Sequence, residues 1–328
     1  MHLLWSLDDV SVSGRRVPRL DRVTVQIPQG VTAVLGQSGA GKTTLLNLLV
    51  HYERPTSGQI IFGETSHSVF WSPPTQGLWS HLTVRDHLES VRQDLGVHQS
   101  TGEANYVDRL LSVFDLMELS AVRPGSLSLG ERSRLSVARA LASGAKVLVM
   151  DEPLAHVDPG RVGSYWAIVR DHCSKTGTSL IFATHAPEVV LREASLVLCL
   201  ANGRQSYFGP VNELYDQPSS PELAAMLGPC NWLPVGEATR WLNVSVCSPQ
   251  EVTDHEQVAI CIRPERLRIE RAAEGSSLVE GARFAGSSGE VDLVDERDGH
   301  RRTFVHRPSG LDLRKGERVM LKWIPPIA

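Results

Sequence analysis

The sequence predicts an α/β domain built around a phosphate-binding P-loop and interrupted by a helical insertion, followed by a small all-β barrel or sandwich. Three observations carry this. Up to about residue 217, short apolar runs alternate with amphipathic stretches, the rhythm of an α/β sheet. Within that region Gly36-Gln37-Ser38-Gly39-Ala40-Gly41-Lys42-Thr43 reads G-x-x-x-x-G-K-T between a strand and a helix. Beyond about residue 229 the texture changes to short alternating runs separated by turn clusters. The 328-residue length fits two such domains. We place them at residues 1–217 and 229–328, joined by a turn-rich linker over 218–228 that opens near Gln217-Pro218-Ser219-Ser220-Pro221.

Element by element, Val31-Thr32-Ala33-Val34-Leu35 is a buried strand, and Thr44 to Leu49 a helix after the glycine-rich turn. Gly58 to Phe62 is a second strand candidate. Over about 83–142 the period becomes helical: Val84, Leu88 and Val91, then Val107, Leu110, Leu111 and Phe114. Strands resume at Val147 to Met150 and at Ser179 to Ala183, and a final pair flanks the turn Asn202-Gly203. In the second domain, Val258 to Ile262 and Arg318 to Trp323 alternate apolar with polar residues, and Gly286-Ser287-Ser288-Gly289 and Asp298-Gly299 mark turns.

Composition excludes several functions. With 33 basic and 37 acidic residues the net charge is −4, which argues against a coat for nucleic acid or for an anionic membrane. No apolar run approaches the roughly 20 residues needed to cross a bilayer. The opening Met1-His2-Leu3-Leu4-Trp5-Ser6-Leu7-Asp8-Asp9 lacks the basic start of a secretory signal. Five cysteines, without a Cys-x-x-Cys spacing, read as buried reduced thiols.

The phosphate site follows from the motif. Its glycines let consecutive N–H groups curl around an anion at a helix start, drawing in Gly36 to Thr43 and the following Thr44. Lys42 reaches the β- and γ-phosphates, and the Thr43 hydroxyl suits Mg²⁺. The run Val147-Leu148-Val149-Met150 ends in Asp151-Glu152 at the carboxyl end of its strand, where parallel sheets bind ligands. Adjacent acids point to different sides, so Asp151 can hold Mg²⁺ while Glu152 polarises the attacking water.

Residues 1–217 resemble the nucleotide-binding subunits of ABC transporters in the order and spacing of their motifs. The family's LSGGQ signature corresponds to Leu127-Ser128-Leu129-Gly130-Glu131. There Ser128 and Glu131 also form an S-x-x-E capping box. The resemblance implies that Ser128, Leu129, Gly130 and Glu131 face the ATP held by another protomer, so that a homodimer or heterodimer sandwiches two ATP molecules. It implies that Asp158, in Ala155-His156-Val157-Asp158, belongs to a loop crossing that interface, and that His185 contacts the γ-phosphate and orders Glu152 and water. Catalysis would then rest on Lys42, Glu152 and His185. The partners implied are integral-membrane transporter subunits, on whose cytoplasmic face the protein sits, and a periplasmic solute-binding protein if transport is inward; nucleic acid is not implied.

Three positions depart from the family pattern. Pro74 falls where a glutamine near Mg²⁺ is usual, and it can neither donate nor accept through its side chain. Gln76, two residues on, is an alternative metal-side residue if the loop is re-routed. Leu129 replaces a signature glycine. The usual adenine-stacking aromatic is missing from Val12-Ser13-Gly14-Arg15-Arg16, which leaves Arg15 or Arg16 to stack instead. Ile262-Arg263-Pro264-Glu265, Leu227-Gly228-Pro229-Cys230-Asn231-Trp232-Leu233 and Gly316 to Trp323 resemble segments of the TOBE-like accessory β-domain of some importers. Three readings therefore stand open beside an importer ATPase: a regulatory ATP-binding module with little hydrolysis, the energy subunit of an exporter, and a soluble ABC-type ATPase.

Overall fold

The computed structural model describes residues 2–64, 68–74, 77–92, 106–242, 259–307 and 313–325. Contacts divide the chain into two units, residues 1–211 and 212–328. The first carries β1 (Leu3–Val12), β2 (Leu20–Pro28), β3 (Val31–Leu35), α1 (Lys42–Leu49), β4 (Ser57–Phe62) and β5 (Val69–Ser72). It continues with α2 (Val84–Val91), α3 (Tyr106–Val113), α4 (Leu129–Ala142), β6 (Val147–Asp151), α5 (Pro159–Thr176), β7 (Ser179–Thr184), α6 (Pro187–Glu193), β8 (Leu196–Ala201) and β9 (Arg204–Pro210).

A six-stranded sheet runs β5-β6-β7-β3-β8-β9, parallel throughout except for β9. Every residue of β6 and β7 is buried, which is why these strands read as unbroken apolar runs rather than alternating ones. A three-stranded antiparallel sheet, β2-β1-β4, faces it. Helix α1 shares one core with both sheets: Leu45, Leu46, Leu48 and Leu49 lie with Trp5, Val25 and Ile27 and with Val149, Ile181 and Leu198. Trp5 Nε1 donates to the Leu49 carbonyl at 3.0 Å, so the end of α1 is anchored while its start is presented at the sheet's edge. The helical insertion is present as α2, α3 and α4. Thr83 caps α2 through a reciprocal capping box with Asp86, and Arg85 Nη2 donates to Asp108 of α3 at 2.5 Å.

The second unit takes up the chain within α7 (Val211–Asp216) and continues with α8 (Pro221–Met226), β10 (Asn231–Pro234), α9 (Val235–Leu242), β11 (Ala259–Ile262), β12 (Leu267–Arg271), β13 (Ser277–Ala285), β14 (Ser288–Asp295), β15 (Arg301–His306) and β16 (Arg318–Trp323). An antiparallel sheet of order β12-β16-β13-β14-β15 carries its apolar residues on alternate positions, as in β14. β10 and β11 pair separately.

The structure adds two helices to the expected elements and corrects one expectation. The segment taken as linker contains α8: Ser220 accepts from the Leu223 N–H at 3.2 Å and Pro221 opens the helix, so the turn-rich cluster is a helix start. Beside the expected antiparallel sheet, α9 buries Ala238, Trp241 and Leu242 at helical spacing in the same core. Finally, Cys173 and Cys199 are buried, but Cys230 and Cys261 are only half-buried; Cys247 lies outside the described residues.

Candidate functional site

The chain leaves β3 at Leu35 and turns through Gly36 to Gly41 into α1 at the carboxyl end of the parallel sheet. Gly39 and Gly41 have φ of 82° and 104°, values that an L side chain rarely adopts. A Cβ on Gly41 would also lie 2.6 Å from the Arg19 carbonyl oxygen, and one on Gly36 would lie 2.5 Å from that of Leu200. Among the described residues no side chain caps α1, which leaves its first amides free to receive an anion. Lys42, 8% exposed, donates Nζ to the carbonyls of Gly36 at 2.8 Å and Gln37 at 3.2 Å, which holds the ammonium inside the loop's curve.

Strand β6 lies one strand away, separated from β3 by β7, and its end brings two carboxylates to the same place. Asp151 is 5% exposed and accepts from Thr43 Oγ1 at 2.5 Å. Burial pushes its carboxyl up; the Thr43 hydrogen bond and Lys42 oppose that, while the Glu152 carboxylate adds to it. A buried carboxylate beside a hydroxyl is an oxygen set that fits Mg²⁺. The Glu152 N–H still bonds to the Ala183 carbonyl of β7, but its φ is 50°. The chain therefore swings out of the strand at this residue. Glu152 Oε1 lies 2.8 Å from His185 Nδ1 and 3.9 Å from Lys42 Nζ.

The structure thus brings together Lys42, Thr43, Asp151, Glu152 and His185, with Gly36 to Thr44 around them. It places the remaining expected residues elsewhere in the first unit. Ser128 caps α4: its Oγ accepts from the Glu131 N–H, and Glu131 accepts from the Ser128 N–H at 2.7 Å, which draws the Glu131 carboxyl down. Leu129 is 56% exposed within the first turn of α4 and has no positive φ, so the loss of a glycine there strains nothing. Asp158 caps α5 by accepting from the Gly160 N–H at 2.7 Å. Pro74 is exposed beyond the end of β5, and Gln76 lies outside the described residues. Arg15 and Arg16 line an open cleft with Ser13, Gly14, Val17 and Arg19, and the Arg19 carbonyl closely approaches Gly41 of the P-loop.

Sequence reasoning missed the side chains that fix the segment after Pro74. Ser72 Oγ and Ser136 Oγ are 2.6 Å apart, linking the end of β5 to α4. Arg139, 3% exposed on α4, donates Nη1 to the Gly77 carbonyl at 2.7 Å and lies over the rings of Phe70 and Trp79 at 5.5 and 5.0 Å. Burial pushes its guanidinium down to about 10. A cation inside the apolar run Val137-Ala138-Arg139-Ala140-Leu141 was the signal available.

Comparison with known proteins places the chain in a family. Residues 20–155 match the ABC transporter family. The sulfate/thiosulfate import ATP-binding protein CysA of Mesorhizobium japonicum is 35% identical over 94% of this chain and 93% of its own length. CysA of Brucella melitensis is also 35% identical, over 67% of this chain; the match spans 65% of that relative's length. The spermidine/putrescine import ATP-binding protein PotA of Pseudomonas fluorescens is 29% identical over 85% of this chain and 81% of its own. Among solved structures, a nucleotide-free ATP-binding cassette from an ABC transporter superposes with a TM-score of 0.55 at 22% identity, over 68% of this chain and 98% of the cassette, which speaks for the fold. The chain belongs to the ATP-binding proteins of the ABC transporter family.

Proposed function

We propose that this chain is the ATP-hydrolysing subunit of an ABC importer, using ATP with Mg²⁺, working as a dimer and docked peripherally on integral-membrane subunits. No helix among the described residues is long and apolar enough to cross a membrane, so passage of cargo falls to a partner. The relatives' names differ in cargo but share import, and that shared part supports the direction proposed here. A solute-binding protein would then deliver the cargo.

The observation that carries the reading is the Glu152 carboxylate, held between His185 Nδ1 and Lys42 Nζ beside the P-loop. Lys42 and the loop amides would neutralise the phosphates, and Thr43 with Asp151 would hold Mg²⁺, whose charge eases departure of the leaving phosphate. Glu152 would orient a water and accept its proton, while His185 fixes the carboxylate's direction. Ser128 and the amides at the start of α4 would donate to the γ-phosphate on the opposite protomer. Closure follows because each nucleotide touches both faces, and hydrolysis removes that contact.

Glu152→Gln keeps the shape and removes the base. Turnover is expected to fall by about 100-fold or more, ATP binding to stay within a few fold, and ATP to trap a dimer on size-exclusion chromatography. Turnover within tenfold of the parent would overturn the assignment. One observation favours a second reading, a regulatory ATP-binding module: Pro74 occupies the glutamine position and is exposed. Hydrolysis absent even in the complex with the membrane partner would select that reading.

A further inference from the structure

The cysteines of the second unit differ from those of the first. Cys173 and Cys199 are buried thiols that desolvation pushes up to about 11 and about 12. Cys230 and Cys261 are half-buried; Cys230 immediately precedes β10, and Cys261 lies on its neighbour β11. Trp232 of β10 pairs with Cys261 of β11, and Asn231 with Ile262. Cys230, two residues before Trp232, therefore falls on the same face as Cys261, diagonally across the ladder.

A fixed cation lies beside this pair. Arg263, 1% exposed, donates Nε to the Tyr215 carbonyl at 3.0 Å and Nη1 to those of Ala224, Gly228 and Pro229 at 3.0, 3.1 and 3.4 Å. The guanidinium thus grips the backbone that leads into Cys230. Its Nη2 has no hydrogen-bond partner among the described residues, so part of its charge is left without a bonded acceptor. A buried guanidinium favours thiolate over thiol. Cys230 accordingly sits low, at about 7, first through the neighbouring Cys261 thiol and then through Arg263, against the opposing effect of burial. Cys261 is pushed up, as befits the thiol that keeps its proton.

We propose that Cys230 and Cys261 form a peroxide-reactive dithiol, a redox modification site with Cys230 as the attacking and Cys261 as the resolving sulfur. The Cys230 thiolate attacks one oxygen of hydrogen peroxide; the O–O bond breaks, hydroxide leaves and takes up a proton, and Cys230 becomes a sulfenic acid. Cys261 then gives up its proton and attacks the Cys230 sulfur, expelling a second hydroxide that leaves as water. Two thiols lose two electrons in all, and one peroxide becomes two waters. The disulfide joins β11 to the residue preceding β10 and involves none of the residues assigned to the nucleotide site, so this site stands or falls independently of the proposed function.

The test uses the full reduced chain. At pH 7, Cys230 is expected to be alkylated by iodoacetamide at least about tenfold faster than Cys173 or Cys199. Hydrogen peroxide at one equivalent is expected to remove two hydrogens from the intact mass and to join Cys230 to Cys261 in a non-reducing peptide map. Cys247→Ser should leave that link in place. Cys261→Ser should stop the reaction at a dimedone-reactive sulfenic acid on Cys230, and Cys230→Ser should abolish both products. Absence of the 230–261 link in the parent protein, or a Cys230 alkylated no faster than Cys173, would overturn the proposal; both readouts need no variant.

Discussion

Gly130, in the first turn of α4, shows how a single hydrogen atom can be a structural requirement. A Cβ there would lie 2.8 Å from the His156 carbonyl oxygen, a backbone atom that cannot rotate aside. His156 belongs to the turn that follows Glu152, where Leu154 is buried with φ of 62° and Asp158 caps the next helix. Gly130→Ala is therefore expected to displace residues 155–158 and lower ATP turnover about tenfold or more, since small misplacements near reacting groups are costly. Nucleotide binding at Lys42 should survive. The neighbouring Leu129→Gly should behave differently. That position is helical and exposed, so the substitution costs only about 0.5–1 kcal/mol of helix stability, seen as a small drop in melting temperature with turnover intact. Equal losses in both variants would show that the backbone contact is not what matters.

Between residue and domain lies the junction of α4 with segment 77–82. His87 is wholly buried on α2; its Nε2 accepts from the Trp79 N–H at 2.9 Å and its Nδ1 lies 2.7 Å from the Thr83 carbonyl. An Nε2 that accepts leaves Nδ1 as the donor, so the ring is neutral here. Its pKa is held below the ordinary histidine value first by burial; Arg139 and His81 act in the same direction, while the Thr83 bond and Asp86 oppose. A depressed histidine contributes stability in full above its unfolded pKa, and that contribution is lost as pH falls from about 6.5 toward the folded value. The melting temperature should thus fall on acidification across that window, and His87→Gln, which can still accept from Trp79, should flatten the slope. His172 on α5, also depressed by burial, keeps the slope from vanishing. An unchanged slope in the variant would assign the acid sensitivity elsewhere.

The same junction marks where the sequence stopped being readable. Val31–Leu35, Val147–Asp151 and Ser179–Thr184 were legible because strands covered on both faces are unbroken apolar runs, and the P-loop because its glycines are dictated by φ and by close backbone approach. The gathering of Lys42, Asp151, Glu152 and His185 followed from strand ends sharing one edge of a sheet. Contacts between Arg139 and Gly77, or His87 and Trp79, join residues 62 and 8 apart through side-chain geometry, for which no periodicity exists. Helix α8 was hidden for a different reason: Ser220-Pro221 serves equally well as a turn and as a helix start.

At the scale of the whole chain, each unit has a core of its own, one built on α1 between two sheets and the other on Trp241, Ile262, Phe304 and Leu321. Arg263 is the polar centre of the second. It stacks over the Tyr215 ring at 4.2 Å and satisfies carbonyls at the ends of α7 and α8, so the arginine of the Ile262-Arg263-Pro264-Glu265 segment fastens both helices to the β-structure. Burial pushes the Tyr215 hydroxyl up, and its bond to Glu265 at 2.8 Å adds to this, so the phenol stays a neutral donor at that contact. Removing the guanidinium would strand several buried acceptors at about 1–3 kcal/mol each. Arg263→Ala is therefore expected to destabilise residues 212–328 by about 3 kcal/mol or more and to expose them to limited proteolysis, with Arg263→Lys intermediate because one donor remains. None of these contacts involves residues 36–43, so ATP binding by the truncated or nicked protein should persist. Loss of ATP affinity in step with the second unit would mean that the two cores do not fold as separate units, whereas calorimetry showing one of two transitions shifted and the other unchanged would confirm that Arg263 acts within its own.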